Sequence, residues 1–150
     1  MGTDQQRLRV VLDTNVLVAA HLSRNPKSPA KEILMRWQRE EFDLLYSTDL
    51  RAEIVEKFAA KGIAIEAAEL FLVAQAAIGI HVDVPPAAVL PVITADPDDN
   101  LVLACAVLGR ATHIVTYDDH FDVLGGRYQD IQIMNALEFL GVLRDRLQAK

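Results

Sequence analysis

Short apolar segments alternate along the chain with longer amphipathic ones, which is the pattern of a parallel α/β protein. Runs that are short, β-branched and bounded by polar residues predict strands at 9–12, 42–46, 80–84, 113–116 and 131–134. Apolar positions at helical spacing predict helices over 15–21, 30–40, 66–77, 96–108 and 135–147. A further helix is predicted to begin at a cap, Ser47 or Thr48, and to end at Gly62. This alternation indicates a mainly parallel sheet between layers of helices.

The composition fits one globular domain. The 150 residues are 51% hydrophobic and 24% charged, with no linker, repeat or low-complexity tract. We therefore expect a single domain over 1–150, with 1–7 as a flexible N-terminus. No apolar stretch reaches the length of a membrane span and no signal peptide is recognisable, so we expect a cytoplasmic protein.

The first predicted strand ends in a carboxylate. Val10, Val11 and Leu12 lead directly into Asp13, and an ionised carboxylate at the end of a buried strand is costly unless donors, a cation or an open cleft compensate it. Asp13 is therefore either the cap of the next helix or a cation ligand. Asn15 can cap the same helix or orient a ligand.

Asp118 follows another predicted strand, and its side chain is expected near Asp13. The carboxyl ends of parallel strands meet at one edge of a sheet, where the chemistry of open α/β folds is found. Thr116, just upstream, is suited to holding a substrate phosphate or a water molecule. His120 is the histidine nearest this edge, although a turn histidine is the simpler interpretation.

Two further acidic positions complete the candidate cluster. Glu53 lies beside the buried stripe of its helix and is favoured over Glu56. In the run Asp96-Pro97-Asp98-Asp99, Asp96 suits a helix cap or an outer support, with proline at the first helical position. We favour Asp99 over Asp98 as the ligand, because the helix that follows is apolar on nearly every face.

Four carboxylates in one cleft repel one another and raise some of their pKa values unless a divalent cation compensates them. Ligand sets made only of oxygen favour Mg²⁺ or Mn²⁺. Such ions activate water and stabilise the leaving oxygen of a phosphodiester, so that no protein nucleophile is needed. The pattern predicts a metal-dependent nuclease.

The net charge of −6 counts against tight binding of nucleic acid, which normally depends on Lys and Arg. Two groups of cations are either a phosphate-facing rim or ordinary solvated helix faces. They are Arg24, Lys27, Lys31, Arg36 and Arg39, and then Arg51, Lys57 and Lys61.

Four segments, in this order, resemble the PIN-domain family and within it the small VapC-like toxins of toxin–antitoxin pairs. They are VVLDTNVLVAA at 10–20, LRAEIVEKF at 50–58, DPDDNLVLACAVLGRATHIVTYDDHF at 96–121 and QIMNALEFL at 132–140. The DTN triplet alone is weak, whereas the ordered set of four is specific and spans nearly the whole chain.

The resemblance implies a three-layer α/β/α sandwich and a Mg²⁺- or Mn²⁺-dependent endoribonuclease. By position, its catalytic and metal-binding acids are Asp13, Glu53, Asp99 and Asp118, and its supporting residues are Asn15, Thr116 and Asp96. The resemblance also implies a homodimer and inhibition by a small antitoxin. Two alternatives stay open: a free-standing nuclease that processes RNA, and a non-catalytic scaffold that binds partners.

Overall fold

The computed structural model describes residues 6–148, and these residues form one sheet flanked by helices. Within this range the sheet has six strands in the order β3-β2-β1-β4-β6-β5. All neighbouring strands pair in parallel except β5 and β6, which are antiparallel. The strands are β1 (Arg9–Leu12), β2 (Asp43–Tyr46), β3 (Ile80–His81), β4 (His113–Val115), β5 (Arg127–Tyr128) and β6 (Ile131–Met134).

Six α-helices lie between and after these strands in the described part of the chain. They are α1 (Thr14–Leu22), α2 (Pro29–Gln38), α3 (Thr48–Ala60), α4 (Ile65–Ile78), α5 (Asp99–Leu108) and α6 (Ala136–Gln148). Two short 3₁₀ segments, Pro86–Ala88 and Asp119–Leu124, add to them. Most bounds agree with the sequence predictions within two residues.

Side chains of the central strands alternate between two separate cores. Val10 and Leu12 of β1 pack into a core with α1, α2 and α6, whereas Val11 packs on the other face against residues of α5. Leu44 and Leu45 of β2 divide in the same way. This period of two places helices on both faces of the sheet, so the predicted three-layer α/β/α sandwich is confirmed.

The third strand is shorter than predicted, covering 80–81 rather than 80–84. Its partner β2 ends at Tyr46, because Ser47 leaves the sheet to cap α3 by accepting a hydrogen bond from the Leu50 N–H. Val82 still donates its N–H to the Tyr46 carbonyl oxygen. Beyond that point β2 offers no further partner, which ends the strand.

The predicted helix over 96–108 begins three residues late, at Asp99. Asp96 is not the cap of this helix, because the N-cap position is Asp98, which makes no side-chain capping bond. Asp96 instead accepts a hydrogen bond through Oδ1 from the Asp98 N–H at 3.0 Å. Its carbonyl oxygen accepts from the Asp99 N–H at 3.1 Å. Asp96 thus holds a turn that leads into α5.

The strand β5, which was not predicted from the sequence, forms a two-stranded hairpin with β6. The loop between them is Gln129-Asp130, and Gln129 has a φ of 53°. Such tight loops usually carry glycine or asparagine at positions of positive φ. Gln129 gives no such signal, so the hairpin could not be seen in the sequence.

The start of the predicted flexible segment 1–7, namely 1–5, lies outside the described residues. Arg7 lies within them and donates from Nε to Asp43 Oδ1 at 2.7 Å. None of the helices within 6–148 combines the length and apolarity that crossing a membrane requires.

Candidate metal centre

The candidate site begins where β1 and β4 end side by side. Leu12 pairs with Val115, and the Asp13 N–H donates to the Val115 carbonyl oxygen at 2.9 Å. The strand order reverses at this pair, because β2 lies on one side of β1 and β6 lies beyond β4. Such reversal points open a crevice at the carboxyl ends of the strands, and Asp13 lies at this one.

Asp13 is 5% exposed and both of its carboxylate oxygens are held. Its Oδ1 accepts from the Thr14 N–H at 2.8 Å, which makes Asp13 the cap of α1. Its Oδ2 accepts from the Thr116 hydroxyl at 2.7 Å. Burial raises the pKa of this carboxyl, while the hydrogen bonds from Thr116 and Thr14 oppose the rise. The capping role therefore coexists with a position in the cleft.

The segment after β4 is tied to the end of β1 by two side chains. Thr116 Oγ1 accepts from the Asp118 N–H at 2.9 Å while donating to Asp13. Asn15 Oδ1 accepts from the Tyr117 N–H at 3.1 Å. Thr116 and Asn15 thus fix the backbone that carries Asp118, and neither needs to touch a ligand to do so.

Four side chains bring one ligand atom each within 4.8 Å of all the others: Asp96, Asp99, Asp118 and His120. His120 Nδ1 lies 3.0 Å from Asp99 Oδ2 and 3.0 Å from Asp118 Oδ1. The hydrogen bond with Asp99 raises the pKa of His120, and the charges of Asp118 and Asp119 act in the same direction. A protonated His120 would supply part of the positive charge that this group lacks.

Asp99 is the most buried member of this group, at 5% exposure. Burial raises its pKa to about 6, the contact with His120 opposes the rise, and the charges of Asp118, Asp13 and Asp96 add to it. Asp98, the alternative ligand, is exposed at the preceding position. The inward placement of Asp99 agrees with the sequence argument that favoured it.

Glu53 completes the acidic cluster from α3. Its Oε2 is buried and has no hydrogen-bond partner among the described residues. Burial raises the pKa of Glu53 to about 7, and the charges of Asp13, Asp98 and Asp99 contribute while Lys57 opposes them. Glu56, the alternative on this helix, is exposed. A buried carboxylate oxygen without a donor costs free energy, which points to a group that it would bind.

The structure therefore brings the seven predicted site residues to one edge of the sheet, but not as a single shell. Asp96, Asp99 and Asp118 belong to the compact group of ligand atoms. Asp13 and Glu53 are not members of this group but lie close to it, since the charge of Asp13 raises the pKa of Asp99 and the charge of Asp99 raises the pKa of Glu53. The sequence analysis treated His120 as a turn residue, and the structure places it in the group. Its signal was its position two residues after Asp118, whose Oδ1 accepts the His120 N–H at 2.9 Å.

These residues fit a divalent cation. The donors are mainly carboxylate oxygens, which suit hard ions such as Mg²⁺ or Mn²⁺, and one imidazole, which Mn²⁺ tolerates more readily than Mg²⁺ does. A site that lacks positive charge raises the pKa values of its carboxyl groups, and those of Asp13, Glu53 and Asp99 are all raised. The buried Glu53 oxygen that has no hydrogen-bond partner among the described residues also fits a missing cation.

The cations of the two groups noted in the sequence differ in whether other side chains or backbone groups of the protein bind them. Arg36 is held by Glu32 and Glu41, and Arg51 donates to the Leu72 carbonyl oxygen and to Gln75. Exposed side chains remain at Arg24, Lys27, Arg39, Lys57 and Lys61. A phosphate-facing rim made of all eight cations is therefore excluded.

Comparison with known proteins gives one family. A family model described as PIN domain matches residues 9–120, which run from the first residue of β1 to His120 and include every acid of the cleft. Among curated proteins, none gives a significant match.

Proposed function

Because this chain belongs to the PIN-domain family, whose members are typically metal-dependent nucleases, we propose that it is a Mg²⁺- or Mn²⁺-dependent endoribonuclease. The observation that carries the proposal is the partly buried acidic cleft at the junction of β1 and β4, with raised pKa values and an unpartnered Glu53 oxygen. Family membership alone gives the reaction class, and the cleft supports its retention in this chain.

In this proposal Asp13, Glu53, Asp99 and Asp118 are the catalytic and metal-binding acids. Asn15, Thr116 and Asp96 position them through the hydrogen bonds described above. A bound divalent cation supplies the Lewis acidity and charge compensation that hydrolysis of a phosphodiester needs. The chain's own part is to hold the oxygens of Asp13 in a fixed orientation and to keep the carboxylates of Asp99 and Glu53 partly withdrawn from water.

The proposed substrate is RNA with an accessible single-stranded region. The chain carries a net charge of −6, which counts against strong binding along a long polyanion. Recognition would then depend on contacts close to the scissile bond rather than on a broad basic surface.

We further assign the protein, in the cytoplasm, to the toxin side of a toxin–antitoxin pair, as a homodimer controlled by a small antitoxin. The resemblance of the four sequence segments supports this role. Val55 on α3 and Leu70 and Val73 on α4 are more than half exposed, and such apolar side chains are common where proteins bind one another.

The test is cleavage of defined RNA by the purified protein with Mn²⁺ or Mg²⁺. Asp13→Asn and Asp118→Asn are expected to abolish cleavage while the circular dichroism spectrum and melting temperature show a folded protein. Asp83→Asn is the matched control, since its side chain is exposed and lies neither in the ligand group nor in the lining of the neighbouring cleft. If the wild type cuts no RNA with either ion, the scaffold alternative replaces the nuclease.

Expression in a bacterial host separates the two nuclease roles. A toxin arrests growth when expressed alone, and the Asp118→Asn variant relieves the arrest. Discrete cleavage of one RNA without any growth defect would favour the free-standing processing enzyme. Chromatography with light scattering gives the oligomeric state, and a monomer at micromolar concentration would contradict the homodimer.

A further inference from the structure

A second cleft adjoins the acidic one on the other side of the segment that follows β4. It has a volume of about 440 Å³ and lies between the carboxyl ends of β4 and β6, with Asp118 in its wall. Its size falls within the ~300–1,000 Å³ typical of pockets for small organic groups. Because residues 116–119 line it and also carry the acidic site, a group bound there would lie next to the scissile bond.

Tyr117 forms one side of this cleft and is 47% exposed, the highest exposure of any Phe, Trp or Tyr in residues 6–148. Its backbone is not loose, since Asn15 Oδ1 accepts its N–H and both neighbouring residues belong to the acidic site. An aromatic ring held in this way at the edge of a nuclease cleft is suited to stacking, which is how proteins bind unpaired bases.

The other walls of the cleft favour a base over a phosphate. Ile133 and Met134 are partly exposed apolar residues of its lining, and the rim carries Asp119, Asp122 and Glu138. The described lining contains no Lys or Arg. Carboxylates repel a phosphate but accept hydrogen bonds from the exocyclic amino groups of bases.

The start of α6 also borders the cleft, and two of the N–H groups there are used within the chain. The Asn135 N–H donates to Glu138 Oε1 at 3.2 Å, and the Glu138 N–H donates to Asn135 Oδ1 at 2.9 Å. This reciprocal pair is a capping box, which takes donors that an anion would otherwise bind. The capping box therefore leaves fewer donors for a phosphate at this helix start.

We propose that the cleft beside Tyr117 binds an unpaired nucleobase adjacent to the bond that is cut, with a preference for the amino-bearing bases adenine, cytosine and guanine over uracil. The inference rests on the proposed nuclease function, because the RNA strand delivers the base. It gives the enzyme a local specificity element in place of the broad basic surface that the chain lacks.

The experiment uses short single-stranded RNA with 2-aminopurine placed at successive positions. Variants are built on Asp13→Asn so that the RNA stays intact, and binding is followed by fluorescence and anisotropy with Mg²⁺. One position is expected to show stacking. Tyr117→Ala is expected to remove that signal and to weaken binding by about 5- to 150-fold, the equivalent of ~1–3 kcal/mol per stacked base.

Two further variants make the result specific. Tyr117→Phe keeps the ring and is expected to retain the stacking signal. Val123→Ala is the matched control, since Val123 is exposed in the same segment and does not line the cleft. Replacement of the stacked base by uracil is expected to weaken binding, and equal affinity for all four bases would overturn the stated preference.

The outcomes separate this inference from the nuclease proposal. If the unmodified chain cuts RNA and Tyr117→Ala neither weakens binding nor changes the fluorescence, the base site is wrong and the nuclease stands. If stacking depends on Tyr117 but the unmodified chain cuts nothing with Mn²⁺, the base site stands and the nuclease is wrong. If no RNA binds, both are wrong.

Discussion

Glu32 and Glu53 lie on helices of the same domain and meet opposite electrostatic surroundings. Glu32 on α2 accepts hydrogen bonds from Arg36 at 2.9 Å and from Arg144 on α6 at 2.7 and 3.2 Å, and these contacts lower its pKa. Glu53 on α3 lies among acids, with a buried oxygen that has no partner in the described chain and a pKa raised to about 7.

The different surroundings of Glu32 and Glu53 show which charged groups stabilise the folded state. The cluster around Glu32 is neutralised within the chain and connects two helices of one layer, so its charges support the folded state. The acidic cleft leaves negative charge uncompensated, which costs stability in the absence of an ion. A site that destabilises the protein unless something binds is a candidate for function rather than for structure.

The largest effect is expected on the rate of RNA cleavage, and it should distinguish Asp99 from its neighbour Asp98. Asp99→Asn is expected to lower the rate of RNA cleavage by about 1,000-fold or more, because even residues behind the metal ligands cost ~10–100-fold. Asp98→Asn, at the exposed neighbouring position, is the matched control and is expected to stay within about tenfold of the wild type. Equal losses in the two variants, measured as initial rates, would contradict the assignment of Asp99.

Divalent ions are expected to stabilise the cleft and to leave the Glu32 cluster unaffected. Mn²⁺ at a hundredfold excess over its dissociation constant adds about 2.7 kcal/mol, or a rise of ~5–10 °C in melting temperature. The rise should be smaller at pH 5.5 than at pH 8, because protons compete for Asp99, with its pKa of about 6, and for Glu53, with its pKa of about 7.

Scanning fluorimetry with and without the ion measures this shift. Glu32→Gln should keep it and Asp99→Asn should lose most of it. An equal shift in Asp99→Asn would place the bound ion somewhere other than the cleft.

Thr116→Val tests the hydroxyl that joins two acids of the site. It removes the donor to Asp13 Oδ2 and the acceptor for the Asp118 N–H. Affinity for Mn²⁺, measured by calorimetry, is expected to fall ~10–100-fold, as for other residues that orient ligands. Thr116→Ser retains the hydroxyl and is expected to bind within a few-fold of the wild type. Because Thr116→Val keeps the methyl group and loses only the hydroxyl, an affinity for Mn²⁺ equal to that of the wild type in this variant would refute the role of the hydroxyl.

The smallest effects are expected on the free energy of unfolding when Glu32 and Glu53 are each replaced in ion-free protein at pH 8. Glu32→Gln is expected to lower the free energy of unfolding by about 1 kcal/mol, less at high salt. Glu53→Gln is expected to raise it by about 1 kcal/mol, because at pH 8 folding moves an ionised carboxylate into a partly buried site whose raised pKa disfavours the charged form.

The pH dependence follows from the direction of each pKa shift. The contribution of Glu53 is fully present below the unfolded value of about 4.5 and is lost as the pH rises through about 7. Its substitution should therefore gain little at pH 5, whereas the loss in Glu32→Gln should persist there. Urea unfolding at the two pH values measures both effects, and Glu56→Gln is the matched control on α3. A gain in Glu56→Gln equal to that in Glu53→Gln would refute the role of burial.

The sequence predicted the parts of the site that depend on local pattern. Asp13 and Asp118 follow strands, and the rule that parallel strands end at one edge was enough to place both there. Asp99 was favoured over Asp98 because the following helix is apolar on most faces, and the structure shows Asp99 turned inward.

What could not be predicted depends on how distant segments meet. That β1 pairs directly with β4, and thereby joins Asp13 to Thr116, follows from strand order, which the chain does not spell out locally. His120 joins the acids because a turn after β4 directs its ring towards α5. The exposure of Tyr117 has the same origin, since nothing in a strand-to-turn sequence says which side chain will face water.

Both outer strands of the sheet, β3 and β5, are only two residues long. Unpaired strand edges can template the addition of another chain, and very short edges are one way in which natural proteins prevent amyloid-like growth. In the described residues the central strands β1 and β4 each have a neighbouring strand on both sides. The aggregation hazard of a hydrophobic parallel sheet is thereby confined to chains that have not yet finished folding.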